Sequence, residues 1–133
     1  MRYDPTYDEY QGWIKEAFGE NDATVPSMTF IQKYGDRITS FASAYIHNLT
    51  TMYIQTIGFI NGAKPSYREY VKMVEEVEAE GYLFTMGTIL NTNVTAIVWA
   101  LRSGFVISGV RVSSDGKLYV EILRANKTPK RFD

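Results

Sequence analysis

Asn91-Thr92-Asn93-Val94-Thr95-Ala96-Ile97-Val98-Trp99-Ala100-Leu101-Arg102-Ser103-Gly104-Phe105 is the stretch on which the fold turns. Asn93 is a good helix cap, Val94, Ile97, Val98 and Leu101 recur at helical spacing, and Ser103-Gly104 supplies a stop. The pattern predicts a short helix whose stripe Val94, Ile97, Val98, Leu101 is buried. On both sides the pattern becomes β-like, so the helix should stand between two strands.

Downstream, residues 106–112 and 118–123 alternate as strands, and Ser113-Ser114-Asp115-Gly116 between them is a hairpin signal. Upstream, residues 82–90 read as a short apolar strand. Before that strand Ser66, with Glu69 at capping-box distance, opens a helix that Gly81 ends. Its buried stripe is read as Tyr67, Tyr70, Val71, Val74 and Val77, with Lys72, Glu75, Glu76, Glu78 and Glu80 facing solvent. A strand, a crossover helix and a strand in this order predict a βαβ unit with parallel strands. Residues 28–33, 38–47 and 52–60 read as three antiparallel strands, and Gly58 inside the third suggests a bulge or a close approach to the backbone. In the second strand Ala42, Ala44 and Ile46 share one face, and Phe41, Ser43, Tyr45 and His47 the other. The first helix starts at Asp4-Pro5-Thr6, buries Tyr10, Trp13, Ile14, Ala17 and Phe18, and stops at Gly19. Residues 20–26 read as a polar connector. The expected order is α, β, β, β, α, β, α, β, β, which is an α+β fold with a mixed central sheet and helices on its faces.

Composition bounds the rest. A chain of 133 residues, 45% apolar and 22% charged, has the make-up of one ordinary globular domain. The domain is placed at 1–124, and 125–133 is read as a mobile tail. That basic end, with Arg124, Lys127, Lys130 and Arg131, is read as solvated. With no Cys and one His, neither a disulfide nor a zinc site is expected. A net charge of −1 argues against nucleic acid as a partner. No apolar run approaches the ~18 residues of a membrane span, and no signal-peptide pattern opens the chain, so a soluble, cytoplasmic protein is expected. Glycine-rich nucleotide loops and a nucleophile elbow are absent.

Asn93, Ala96, Gly104 and Phe105 fall on the spacing of the last helix of the GCN5-related N-acetyltransferases (GNAT superfamily). The predicted element order is also the order of that fold, with its first helical pair reduced to one. The sequence therefore resembles a small, degenerate GNAT, and is similar in size and degeneracy to GNAT-like proteins of tailed bacteriophages. The resemblance covers about 27–124 as topology and 93–105 as a motif.

The resemblance implies a mixed sheet in which the strands at 52–60 and 82–90 splay apart around the pantetheine arm of acetyl-CoA. The pyrophosphate would be wrapped by the loop that opens the following helix, where free N–H groups and the helix dipole favour an anion. On this chain the implied cofactor residues are Ile57, Phe59, Asn61, Gly62, Ala63, Ser66 and Asn93, with Gly62-Ala63 as a short anion nest. The family's glycine-rich loop is replaced by Pro65-Ser66-Tyr67-Arg68-Glu69-Tyr70. Acetyl transfer to an amine needs a route for the amine's proton. No Asp or Glu occurs from Arg37 through Arg68, or from Gly81 through Ser114, and Ala100 stands where the family often carries Tyr. His47 and Tyr53 remain as catalytic candidates. The implied function is acetyl transfer from acetyl-CoA to an unidentified amine. The alternative is a catalytically silent GNAT-fold protein that binds, inhibits or associates with a phage particle. A homodimer is a further expectation, from aromatic positions near the sheet edge.

Overall fold

The computed structural model describes residues 1–19 and 24–130. Part of the expected connector, and Arg131 of the basic tail, lie outside the described residues. The elements follow the expected order: α1 (Tyr7–Phe18), β1 (Met28–Tyr34), β2 (Arg37–Asn48), β3 (Thr51–Phe59), α2 (Tyr67–Glu78), β4 (Phe84–Leu90), α3 (Val94–Arg102), β5 (Val106–Val112) and β6 (Leu118–Ala125). The strands form one mixed six-stranded sheet in the order β1-β2-β3-β4-β6-β5. The contacts divide the chain into two compact units: residues 1–45 with 55–77, and residues 46–54 with 78–133.

In the first unit Thr6 caps α1, its hydroxyl accepting from Glu9 N–H at 3.1 Å, and Gly19 ends the helix with φ 71° and a bond to Lys15 O. The face this exposes to the core carries Tyr10, Trp13 and Ile14, which pack with Ile31, Phe41 and Ile60. Trp13 and Tyr10 lie 5.2 and 5.9 Å from the Phe41 ring, so three aromatic rings fix one another. Burial raises the Tyr10 phenol above its ordinary range, with the neighbouring Ser43 hydroxyl acting in the opposite direction. β1 pairs antiparallel with β2 from Met28↔Ala44 to Tyr34↔Arg37. Ser40 to Ala44 are all buried, because both faces of β2 are covered there.

α2 buries Tyr70, Met73, Val74 and Val77. Met73 was not in the expected stripe, and Ser40 Oγ donates to its sulfur at 3.3 Å. Gly58 does mark a close approach, but the neighbour is the protein itself: a Cβ there would lie 2.5 Å from Phe41 Cε1. The irregular registers are instead between Gln32 and Lys33 in β1 and between Ile107 and Gly109 in β5.

In the second unit β3 pairs in parallel with β4 over Thr51↔Phe84 to Ile54↔Gly87, as the βαβ pattern predicts. β4 pairs antiparallel with β6, and β6 with β5. Asp115 shapes the hairpin turn: its carboxylate accepts from Ser113 Oγ and from Lys117 N. The Ser113 bond first, then the Lys117 amide, lowers its pKa from the usual carboxylate value. Asn93 Oδ1 accepts from Ala96 N at 3.2 Å, and Gly104, at φ 104°, closes α3.

Three expectations are corrected here. The α3 stripe is not buried: Val94, Val98 and Leu101 are exposed, and the unit covers the small Ala100 instead. Phe18, expected on the packed face of α1, is exposed, because it is the last residue of the helix and lies beyond the buried Tyr10, Trp13 and Ile14. Glu78 is not a solvent residue. It is buried, and its Oε1 lies 3.0 Å from Nη2 of Arg124, whose side chain is 10% exposed and whose Nη1 donates to Ser103 O at 2.7 Å. Beyond β6 the chain is also tied: Asn126 Nδ2 donates to Glu78 O and Tyr82 O, and Lys130 N to Gly81 O.

Candidate acyl-transfer site

The end of β3 and the turn that follows it form one wall of a cleft of about 330 Å³ in the first unit. Ile57, Gly58, Phe59, Ala63 and Pro65 line it from this side, and Glu16, Ala17 and Phe18 of α1 from the other. The lining is apolar apart from one carboxylate. Glu16 sits at the rim because it flanks the face of α1 that buries Tyr10, Trp13 and Ile14, and is itself exposed. Its Oε2 accepts from Gly62 N at 3.2 Å.

The turn is set by Asn61 and Gly62, at φ 56° and 78°. Asn61 holds this left-handed conformation because its side chain is tied down: Nδ2 donates to Ile38 O at 2.7 Å, and Arg37 Nη1 donates to Asn61 O. Gly62 N is engaged by Glu16, and Ala63 N donates to Ile60 O at 3.2 Å. The expected Gly62-Ala63 anion nest is thus already filled, by the protein's own carboxylate and a backbone carbonyl. Ser66 caps α2, its hydroxyl accepting from Glu69 N at 3.1 Å. The next amide, of Arg68, stands in the first helical turn, where no intrahelical acceptor exists. Lys64 and Arg68 are themselves exposed. Two cations at the first turn of a twelve-residue helix are a donor set that fits a diphosphate.

The cleft therefore brings together Ile57, Phe59 and Ala63 of the sequence-predicted residues, with Asn61, Gly62 and Ser66 on the adjoining turn. The remaining predicted residues belong to the second unit. Asn93 spends its side-chain oxygen on the α3 cap, a contribution of about 1 kcal/mol. His47 is exposed, its ring centroid 6.1 Å from that of Tyr53. Tyr53 OH lies 2.6 Å from Thr88 Oγ1 across the parallel pair. Sequence reasoning does not reach Glu16, because it lies on α1, far in sequence from the strands and the turn that form the other wall. The signal available was its position one turn beyond Trp13 on a helix that ends at Gly19.

No protein-family model matches the sequence, and no curated protein matches it. Solved structures do. An acetyltransferase of Bacillus subtilis in complex with CoA superposes with a TM-score of 0.75 at 12% identity, over 94% of this chain and 96% of that one. The ribosomal-protein-S18-alanine N-acetyltransferase of Escherichia coli gives 0.73 at 11%, over 100% and 97%. A GNAT family acetyltransferase of Elizabethkingia anophelis with acetyl-CoA bound gives 0.62 at 12%, over 92% and 84%. The fold is the GNAT acetyltransferase fold: a mixed six-stranded sheet with three helices.

Proposed function

We propose that the chain is an N-acetyltransferase that moves an acetyl group from acetyl-CoA to an amine. The observation that carries this reading is Glu16: a carboxylate at the rim of an apolar cleft, against the turn between β3 and α2. The GNAT fold supports it, and so do the neighbours described with CoA and acetyl-CoA. Acetyl-CoA supplies the activated acyl group as a thioester. On the protein's side, Lys64 and Arg68, with the first turn of α2, hold the diphosphate, and Ile57 and Phe59 exclude water from the reacting end.

The Glu16 carboxylate attracts an ammonium acceptor into the cleft and passes one of its protons to solvent, directly or through one water. The amine nitrogen bonds to the acetyl carbon, the carbon–sulfur bond breaks, and the thiol leaves with the nitrogen's second proton. His47 and Tyr53 belong to the second unit and are given no step in it.

Glu16→Gln keeps the size of the side chain and removes its charge. Turnover, followed as free CoA thiol with a panel of primary amines, should fall about 100-fold or more, with acetyl-CoA affinity little changed. Unchanged turnover would remove Glu16 from the chemistry, and no thiol release from native protein with any amine would remove the enzyme reading.

The second reading is a GNAT-fold protein without chemistry, working as a binding, inhibitory or phage-particle-associated module. One observation favours it: the Gly62 and Ala63 amides are satisfied internally, so these two are not offered to a cofactor.

A further inference from the structure

β5 ends the sheet, and its sequence Val-Ile-Ser-Gly-Val-Arg-Val is exposed along nearly its whole length, on both faces. Val106, Ile107, Val110 and Val112 are 52–69% exposed. Soluble proteins blunt such edges with Pro, Lys or several charges, and this strand has one Arg. α3, which contacts β5, turns its own aliphatics Val94, Val98 and Leu101 to solvent. These seven aliphatic side chains are each 45–69% exposed. The core of a protein interface is apolar and poor in charge, with polar groups at its rim. α3 and β5 present the apolar part of such a surface.

We propose that β5 pairs antiparallel with β5 of a second copy of this chain, about a twofold axis through Val110. The ladder supports that register. Ser113 N donates to Lys117 O, so along an antiparallel pair the alternation turns the N–H and C=O of Val110 and Val112 away from β6. Val110 opposite Val110 uses those free groups on both copies.

The same register places Arg111 of one copy opposite Gly109 of the other. Gly109 pairs with Glu121 on β6, and a Cβ on Gly109 would lie 3.9 Å from Glu121 Oε2. Without that side chain, a lane stays open across the strand, from Arg111 of one copy to Glu121 of the next. Among the described residues neither has an ion-pair partner; Arg111 stacks only on Tyr119, 5.9 Å from its ring centroid. By symmetry the contact occurs twice. A self-complementary charge pair flanking an apolar centre selects a second copy over an unrelated strand.

The test is sedimentation velocity on the full chain at about 100 µM and at tenfold dilutions, because a dimer is concentration-dependent. The native protein should sediment at twice the chain mass. Val110→Pro removes only an outward N–H, which an edge strand tolerates. It should give a monomer with an unchanged circular dichroism spectrum. R111E and E121R should each weaken the dimer at least tenfold, and the double exchange should restore it. A native protein that is monomeric at the highest concentration would overturn the proposal. So would a dimer that survives Val110→Pro, or charge reversals whose effects simply add.

Discussion

Arg124→Leu should destabilise the protein by about 3–5 kcal/mol, because it takes the Arg124 guanidinium away from the buried Glu78 carboxylate. The two side chains are only 10% and 9% exposed, and their closest atoms are 3.0 Å apart. Arg124 also donates to Ser103 O at the end of α3 and lies over the Phe105 ring, 5.9 Å from its centroid. One guanidinium thus joins β6, the last turn of α2 and the end of α3. Urea unfolding followed by far-UV circular dichroism measures the loss. The double change Arg124→Leu with Glu78→Leu should recover much of it, since the penalty comes from keeping the buried carboxylate after its Arg124 contact is lost, and not from the absence of the pair. A loss under about 1 kcal/mol for the single change would mean that water reaches Glu78 and that the pair is a surface one.

Gly58→Ala should cost about 1–3 kcal/mol, although it adds a single methyl group. The added Cβ would stand 2.5 and 2.8 Å from Cε1 and Cζ of Phe41, and 3.2 Å from Ala17 Cβ. Phe41 is fully buried and held between Tyr10 and Trp13, so its ring has nowhere to move. Gly58→Val should be worse, and adding Phe41→Leu to Gly58→Ala should return part of the stability. Thermal unfolding of the three variants decides the matter. An unchanged midpoint for Gly58→Ala would show that the core around Phe41 is looser than described.

Much of the fold was legible because its signals are local. Thr6, Gly19, Ser66, Asn93 and Gly104 set helix ends by hydrogen bonds and backbone angles that reach only a few residues. The strand–helix–strand pattern through α2 gave the parallel pair of β3 and β4 on steric grounds alone. What failed was long-range. Glu78 looked solvent-bound and Arg124 looked like the root of a basic tail, and nothing near either residue announces the other. The α3 aliphatics looked buried because helical spacing reports which residues share a face, and not whether anything covers that face. In the candidate site, Ile57, Phe59 and Ala63 were placed by the resemblance, which sets the cofactor at the end of β3 and the turn after it. Glu16 did not, because its proximity to Gly62 N depends on where α1 packs.

The most direct test of the proposed function is a calorimetric titration of the native chain with acetyl-CoA, with CoA and adenosine bisphosphate as controls. Saturable binding that requires the pantetheine arm is the predicted result. Absence of heat and of thermal stabilisation up to millimolar acetyl-CoA would contradict the acyl-transfer reading and leave the GNAT fold here as a scaffold for contacts.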